Sequence, residues 1–180
     1  MDGSLNPKDI ALTRDLAQKI FDFAGKIAET FAQSLVSTED DKRSGGALAI
    51  HDPRRGMHQV RVVGSVSEKD GHRFGGHAAN KNYATRAGDD DTIVSEQVAD
   101  PEADPPVYGG GIKLPNGCFL SFSGFPPKWD QAFCILVARK FGLIDQKWED
   151  RLIAASADPV EARACRDAAF ARFPQVGVMV

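Results

Sequence analysis

The side chains able to do chemistry are few. Histidine occurs four times, at His51, His58, His72 and His77, and cysteine three times, at Cys118, Cys134 and Cys165. No HExxH pattern joins the histidines. His72 and His77 stand five apart, a spacing that does not place two side chains on one helical face. There is no CxxC, and an odd, scattered cysteine count suits no disulfide framework. Cys134 falls among apolar residues of an expected helix and Cys118 opens an expected strand, so buried, inert thiols are expected. Lys81 and Tyr83 offer a cation and a phenol to a ligand carboxylate. The same two residues also read as a solvated lysine and a core aromatic with an exposed hydroxyl. Acid–base groups are therefore present, but no spacing assigns them catalytic roles, and no Ser-His-Asp set can be assembled from the chain alone.

Two backbone features add to this. Gly109-Gly110-Gly111 permits close backbone approach to a ligand, or else supplies the start of a strand or a bulge. It lacks the Lys-Ser/Thr ending of a phosphate-binding loop. Ser123-Gly124 precedes a helix start, where free amides and the helix dipole favour a carboxylate or another anion. Capping is the other use of that dipeptide, and Asp130 is placed to complement the same helix end. Asp89, Asp90 and Asp91 are adjacent. Divalent-cation cages draw oxygens from alternating positions, so these aspartates read as a solvated face.

The elements that must position these groups follow from periodicity. Asn6-Pro7-Lys8-Asp9 caps and opens a helix whose apolar residues, from Ile10 to Phe31, recur at helical spacing and carry it to Leu35. The polar segment 37–46 is expected as a loop. Residues 47–51 read as a strand, and Val60, Val62 and Val66 alternate with polar residues in a second, so a hairpin is expected. Lys69-Asp70-Gly71 reads as a turn and His77 to Ala87 as a short helix. Residues 88–107 read as an acidic, solvated loop with one helical turn after Asp91. Strands at 112–114 and 118–123 flank Pro115-Asn116-Gly117, a hairpin signal because Asn and Gly both tolerate positive φ. Helices are expected from Pro126 to Gly142, from Asp145 to Ala155 and from Pro159 to Arg172. The apolar tail 176–180 is expected to pack on a neighbour. Hairpins separated by helices predict an α+β fold, an antiparallel sheet with packed helices.

Length and composition set the outer bounds. At 180 residues the chain is one domain, expected at 1–143, with a helical extension at 144–180. A net charge of −3 argues against a basic nucleic-acid surface. Without a secretory leader pattern or a membrane-length apolar run, a cytoplasmic protein with no membrane partner is expected.

The element order, and several local segments, resemble the GlcG/HbpS-like family of haem-binding or haem-degrading domains. The strongest likeness runs through Gly110-Gly111-Ile112-Lys113-Leu114, then Phe119-Leu120-Ser121-Phe122-Ser123-Gly124, then Asp130. His77 to Thr85 resembles the family's helix with a Lys-x-Tyr-like segment, and Ala49-Ile50-His51-Asp52 with Gly56 resembles its first strand and aspartate turn. The likeness spans roughly 12–143; the acidic insert and the last helices are additions to it. It implies a profilin-like fold, self-association as a homo-oligomer, and a small ligand, haem in some members. For such a ligand the resemblance points to His77, Lys81, Tyr83, Gly109, Gly110, Gly111, Ser123, Gly124 and Asp130, with His77 the axial candidate. A non-catalytic protein-interaction domain is the competing expectation, and an enzyme the third.

Overall fold

A computed structural model describes residues 6–33, 35 and 44–177. Side chains of Asn6, Thr13, Ser67, Asp145 and Asp158 cap the helices that follow them. Asn6 accepts from the Lys8 amide, but this cap starts only a 3₁₀ turn, Pro7–Asp9. The main helix, α1 (Arg14–Ala32), starts afresh at Thr13, whose hydroxyl accepts from the Leu16 amide. The single long helix expected from the first residues is thus two pieces, because Thr13 offers a second and better cap. Residue 34 and most of the 37–46 loop lie outside the described residues, as do residues 178–180 of the apolar tail.

Strands β1 (Ser44–Asp52) and β2 (Met57–Ser65) form the expected hairpin, with His51 opposite His58 in the register. Strands β3 (Gly111–Lys113) and β4 (Phe119–Ser123) form the second. Their connection closes with Gly117 N–H donating to Leu114 O, and Gly117 has φ +80°. Asn116 does not adopt positive φ; its side chain instead accepts from the Cys118 amide and donates to Ile10 O. All neighbouring strands are antiparallel, in the order β2-β1-β4-β3. The fold is therefore α+β, as the strand pairs and intervening helices require.

Helix α2 (Glu68–Ala87) covers one face of the sheet. It begins nine residues before the expected His77, because Ser67 caps it: its hydroxyl accepts from the Asp70 amide and donates to the Asp70 carboxylate. That reciprocal pair outweighs the turn chemistry of Lys69-Asp70-Gly71. Ala47, Ala49, Phe74 and Ala78 make a small core beneath it.

The other face carries α1 and α3 (Pro127–Lys140). Phe31, fully buried, meets Phe125, Trp129, Phe133 and Phe173 there. Helix α3 ends as expected at Gly142: Leu143 N–H donates to Ala138 O and Gly142 N–H to Arg139 O, a paired closing motif. Then α4 (Gln146–Ala154), α5 (Pro159–Arg172) and the short α6 (Pro174–Gly177) follow. Leu152, Ile153, Cys165, Ala169, Phe173 and Val176 all belong to the main hydrophobic cluster, so the C-terminal helices complete the core. Buried Glu149 joins them to α3, 3.0 Å from Arg166 and 3.6 Å from Arg139. Burial pushes its carboxyl above the usual range, against the pull of both guanidinium groups.

The acidic insert is less solvated than its composition suggests. Thr92 to Ser95 are buried, Val94 bridges to Ile112, and the Lys113 amide donates to Ile93 O. Apolar Ile93 and Val94 thereby close the outer edge of β3. A 3₁₀ turn, Ser95–Val98, follows, and its Glu96 binds Lys128 of α3 at 2.5 and 2.6 Å.

Candidate functional site

Residues far apart in sequence meet where the middle of α2, the end of β4 and the start of α3 converge. The cleft there has a volume of about 360 Å³. His77, Lys81, Ser123, Gly124 and Asp130 all line it, together with Arg73, Phe74, Tyr108 and Pro127. Helix geometry explains the α2 contribution. Arg73, His77 and Lys81 are spaced four apart and so share one stripe.

Its floor is a buried ion pair. Lys81 Nζ lies 2.8 Å from Asp130 Oδ2 and 2.6 Å from Phe122 O, and the Phe125 amide donates to Asp130 Oδ1 at 2.8 Å. The two side chains are 1% and 3% exposed. Their charges cancel and their hydrogen bonds tie α2 to β4 and α3. Lys81 is therefore a fixed strut, and its cation is already engaged.

The glycines serve this pair. Gly110 has φ +108°, and a Cβ there would overlap Asp130 Cβ and come within 3.1 Å of Lys81 Nζ. Gly111 lies over Lys81 in the same way, and Gly109 against Pro127. The close approach expected of Gly109 to Gly111 is thus made to Lys81, Asp130 and Pro127.

The helix start also differs from the amide cradle anticipated at Ser123-Gly124. Pro126 and Pro127 carry no N–H. The Phe125 amide goes to Asp130, and the Trp129 and Asp130 amides go to Pro126 O. What faces the cleft is side-chain chemistry. Ser123 is 7% exposed and lines the cleft, with no hydrogen bond from its hydroxyl among the described residues. His77 packs edge-on against Tyr108, ring centroids 5.0 Å apart. Burial lowers its pKa below the ordinary 6.5, and Lys81 and Arg73 push the same way. Both effects favour the neutral imidazole.

Tyr83 is not in the cleft. It is two positions from Lys81, which turns it roughly 200° away around the helix. It lies 47% exposed at the far end of α2, stacked on His58 at 5.0 Å and near His51 at 5.4 Å. Arg86 Nη1 is 3.2 Å from His51 Nε2 in the same cluster. Burial depresses both imidazoles there, with His58 and Arg86 adding to the effect at His51. This cluster clamps α2 to the β1–β2 hairpin. His72 is exposed and lines a separate trough between α2 and β2.

Arg73 and Tyr108 were absent from the sequence-based candidates. The Ser67 cap was the available signal for Arg73: once α2 starts there, Arg73 falls one turn before His77. No local signal marks Tyr108.

Haem, the cofactor implied by the resemblance, does not suit this cleft. The volume stands near the lower end of the ~300–1,000 Å³ range of small-molecule sites. That is too little to enclose a tetrapyrrole, and Lys81 is not available to a propionate. Among the described residues, no three of His, Cys, Asp and Glu are placed to hold a metal ion. Nor do Ser123 and His77 form a nucleophile–base pair: no hydrogen bond joins them, and Asp130 is directed to Lys81 and the Phe125 amide. The three cysteines are buried and free, with burial raising Cys118 and Cys165 to about 11.

Fold and cleft together define an α+β domain with a lined recess where α2, β4 and α3 meet. Comparison with protein-family models, curated proteins and solved structures found no match. Among the described residues, no helix is long and apolar enough to cross a membrane.

Proposed function

We propose that this chain is a small-molecule-binding module of the GlcG/HbpS-like type, with the ligand held in the α2–β4–α3 cleft. One observation carries the reading: five residues singled out for ligand contact, spread from His77 to Asp130, line a single recess. Its lining combines aromatic and proline walls with a few polar groups, the usual make-up of a ligand pocket. The order α1-β1-β2-α2-β3-β4-α3 supports the family resemblance. The buried ion pair keeps the recess in shape before any ligand arrives, which lowers the cost of binding.

The test is a panel of small acids, bases, neutral aromatics and hemin, screened by thermal shift against the protein and a His77→Trp variant. His77 is only half-buried, so an indole there fills the cleft without disturbing the core. The reading expects at least one small compound to stabilise the parent protein and not the variant. Equal responses from both would move any binding elsewhere and contradict it.

A second reading, a non-catalytic interaction domain, is favoured by the state of β2. This nine-residue strand is an outer strand of the sheet, and Val62 on it is 51% exposed. Beside it runs an apolar trough of about 450 Å³, between Val60, Val62 and Val66 and the bare backbone of Gly71 and Gly75. A long uncovered edge is a ready template for pairing with a second copy. Sedimentation decides this: the reading expects a dimer that Val62→Lys dissociates. A monomer at all concentrations would remove it and the expected homo-oligomer with it.

A further inference from the structure

This inference rests on the cleft being a binding site and specifies its ligand. We propose that the cleft takes a small organic acid, its carboxylate held by Arg73, His77 and Ser123 and its apolar ring packed against Phe74, Tyr108 and Pro127.

Sign of charge comes first. Asp130 is paired with Lys81, and among the described residues Arg73 is the cleft-lining cation in exchange with solvent. Its guanidinium is held 2.8 Å from Asp70 and 4.9 Å over the Phe74 ring. The Arg73–Asp70 pair is 61% and 43% exposed, a setting in which ion pairs are weak. An incoming carboxylate can share that guanidinium without first breaking a strong contact. A cation would meet Arg73 and the Lys81 side of the floor.

Ser123 supplies the second donor. Strand alternation puts it on the same face as Ser121, whose hydroxyl donates to Ala78 O of α2. The Ser123 hydroxyl therefore points to the α2 side, where the cleft lies. It is more than nine-tenths buried and makes no hydrogen bond within the described residues. Its oxygen opens to the cleft, where a ligand oxygen can take the place of solvent as its partner. Neutral His77 gives a third donor from its ring N–H.

Geometry then separates a carboxylate from a phosphate. Phosphate sites are built on rows of backbone amides at a helix start. Here two prolines interrupt that row and the Phe125 amide is taken by Asp130. Two or three side-chain donors match a carboxylate. The remaining volume is walled by Phe74, Tyr108 and Pro127, which a ring would desolvate and an inorganic anion would leave wet.

The experiment follows the histidine ring resonances of the intact protein by NMR while phenylacetate, 2-phenylethanol or inorganic phosphate is added. Phenylacetate is expected to shift His77 saturably and to raise its pKa, since an anion favours the imidazolium. 2-Phenylethanol is expected to bind about 10-fold or more weakly, as is phenylacetate to Arg73→Gln, the loss of one charged hydrogen bond. Ser123→Ala, which removes only a hydroxyl, is expected to weaken phenylacetate without unfolding the protein. Equal or tighter binding of the alcohol, displacement by phosphate at similar concentration, or an unchanged Kd in Arg73→Gln and Ser123→Ala would each overturn the proposal. If neutral or basic compounds from the wider panel occupy the cleft while acids do not, the ligand class is wrong and the binding site stands. If no compound moves His77, both fail.

Discussion

Removing one member of the Lys81–Asp130 pair tests whether the cleft has a dry, fixed floor. At 2.8 Å, two unit charges attract by about 6 kcal/mol for an effective dielectric constant near 20. Desolvating each ion costs several kcal/mol, so the intact pair is close to break-even. A single variant leaves that desolvation without the pair's attraction. Lys81→Met takes the buried ammonium from Asp130 and Asp130→Asn takes the buried carboxylate from Lys81, each at a cost of about 3–5 kcal/mol. The double variant removes both charges, and Asn keeps an acceptor for the Phe125 amide. Its loss is set mainly by the orphaned Phe122 carbonyl, about 1–3 kcal/mol. Urea unfolding of all four proteins gives the coupling directly. The singles should also melt roughly 10 °C lower, at about 2–4 °C per kcal/mol for a chain this size. Single losses below about 1 kcal/mol, or strictly additive losses, would refute the reasoning, because they would mean that water screens the pair.

Further outcomes follow from the same structure. His51, His58 and His77 are all depressed by burial, so the folded protein binds fewer protons than the unfolded chain below about pH 6.5. Their contribution to stability is complete above pH 6.5 and is lost as pH falls through the lowered folded values; Tm should drop between pH 7 and 5, and less so in His51→Gln, while identical profiles would contradict this. Gly110→Ala forces a methyl group into Asp130 at a positive φ and should cost more than about 2 kcal/mol. Gly25→Ala, inside α1 with nothing within 4 Å of the new methyl, should gain about 0.5–1 kcal/mol by urea titration. The three thiols should react with a disulfide reagent only at the rate of unfolding, and fast labelling of the native protein would contradict their burial.

What the sequence disclosed is local, and what it hid is contact between distant residues. Caps and turns at Asp158, Gly142 and Asn116-Gly117 are short-range devices, and the elements they bound appear where expected. Ser67 is equally local, but Lys69-Asp70-Gly71 resembles a turn when the helix after it lacks an apolar stripe. That helix packs on Ala47 and Ala49, so small residues and glycine suffice on its buried face. Lys81 and Asp130 were each visible as charged residues. Their partnership, 49 positions apart, depends on α2 and α3 meeting across β4. Tyr83 was misplaced for a simpler reason: two residues apart on a helix cannot face one recess. The solvated reading of the acidic insert missed Ile93 and Val94, two apolar residues that the edge of β3 needed.

The four histidines give the central claim its most direct measurement, because they report on separate places. His77 lines the cleft, His51 and His58 stand at the hairpin clamp, and His72 lines the trough between α2 and β2. Their ring resonances, followed through titration with the small acids of the panel, should show saturable movement at His77 while the other three stay still. Movement at His51 and His58 with His77 unchanged, or no movement at any of the four, would contradict a ligand site between α2, β4 and α3.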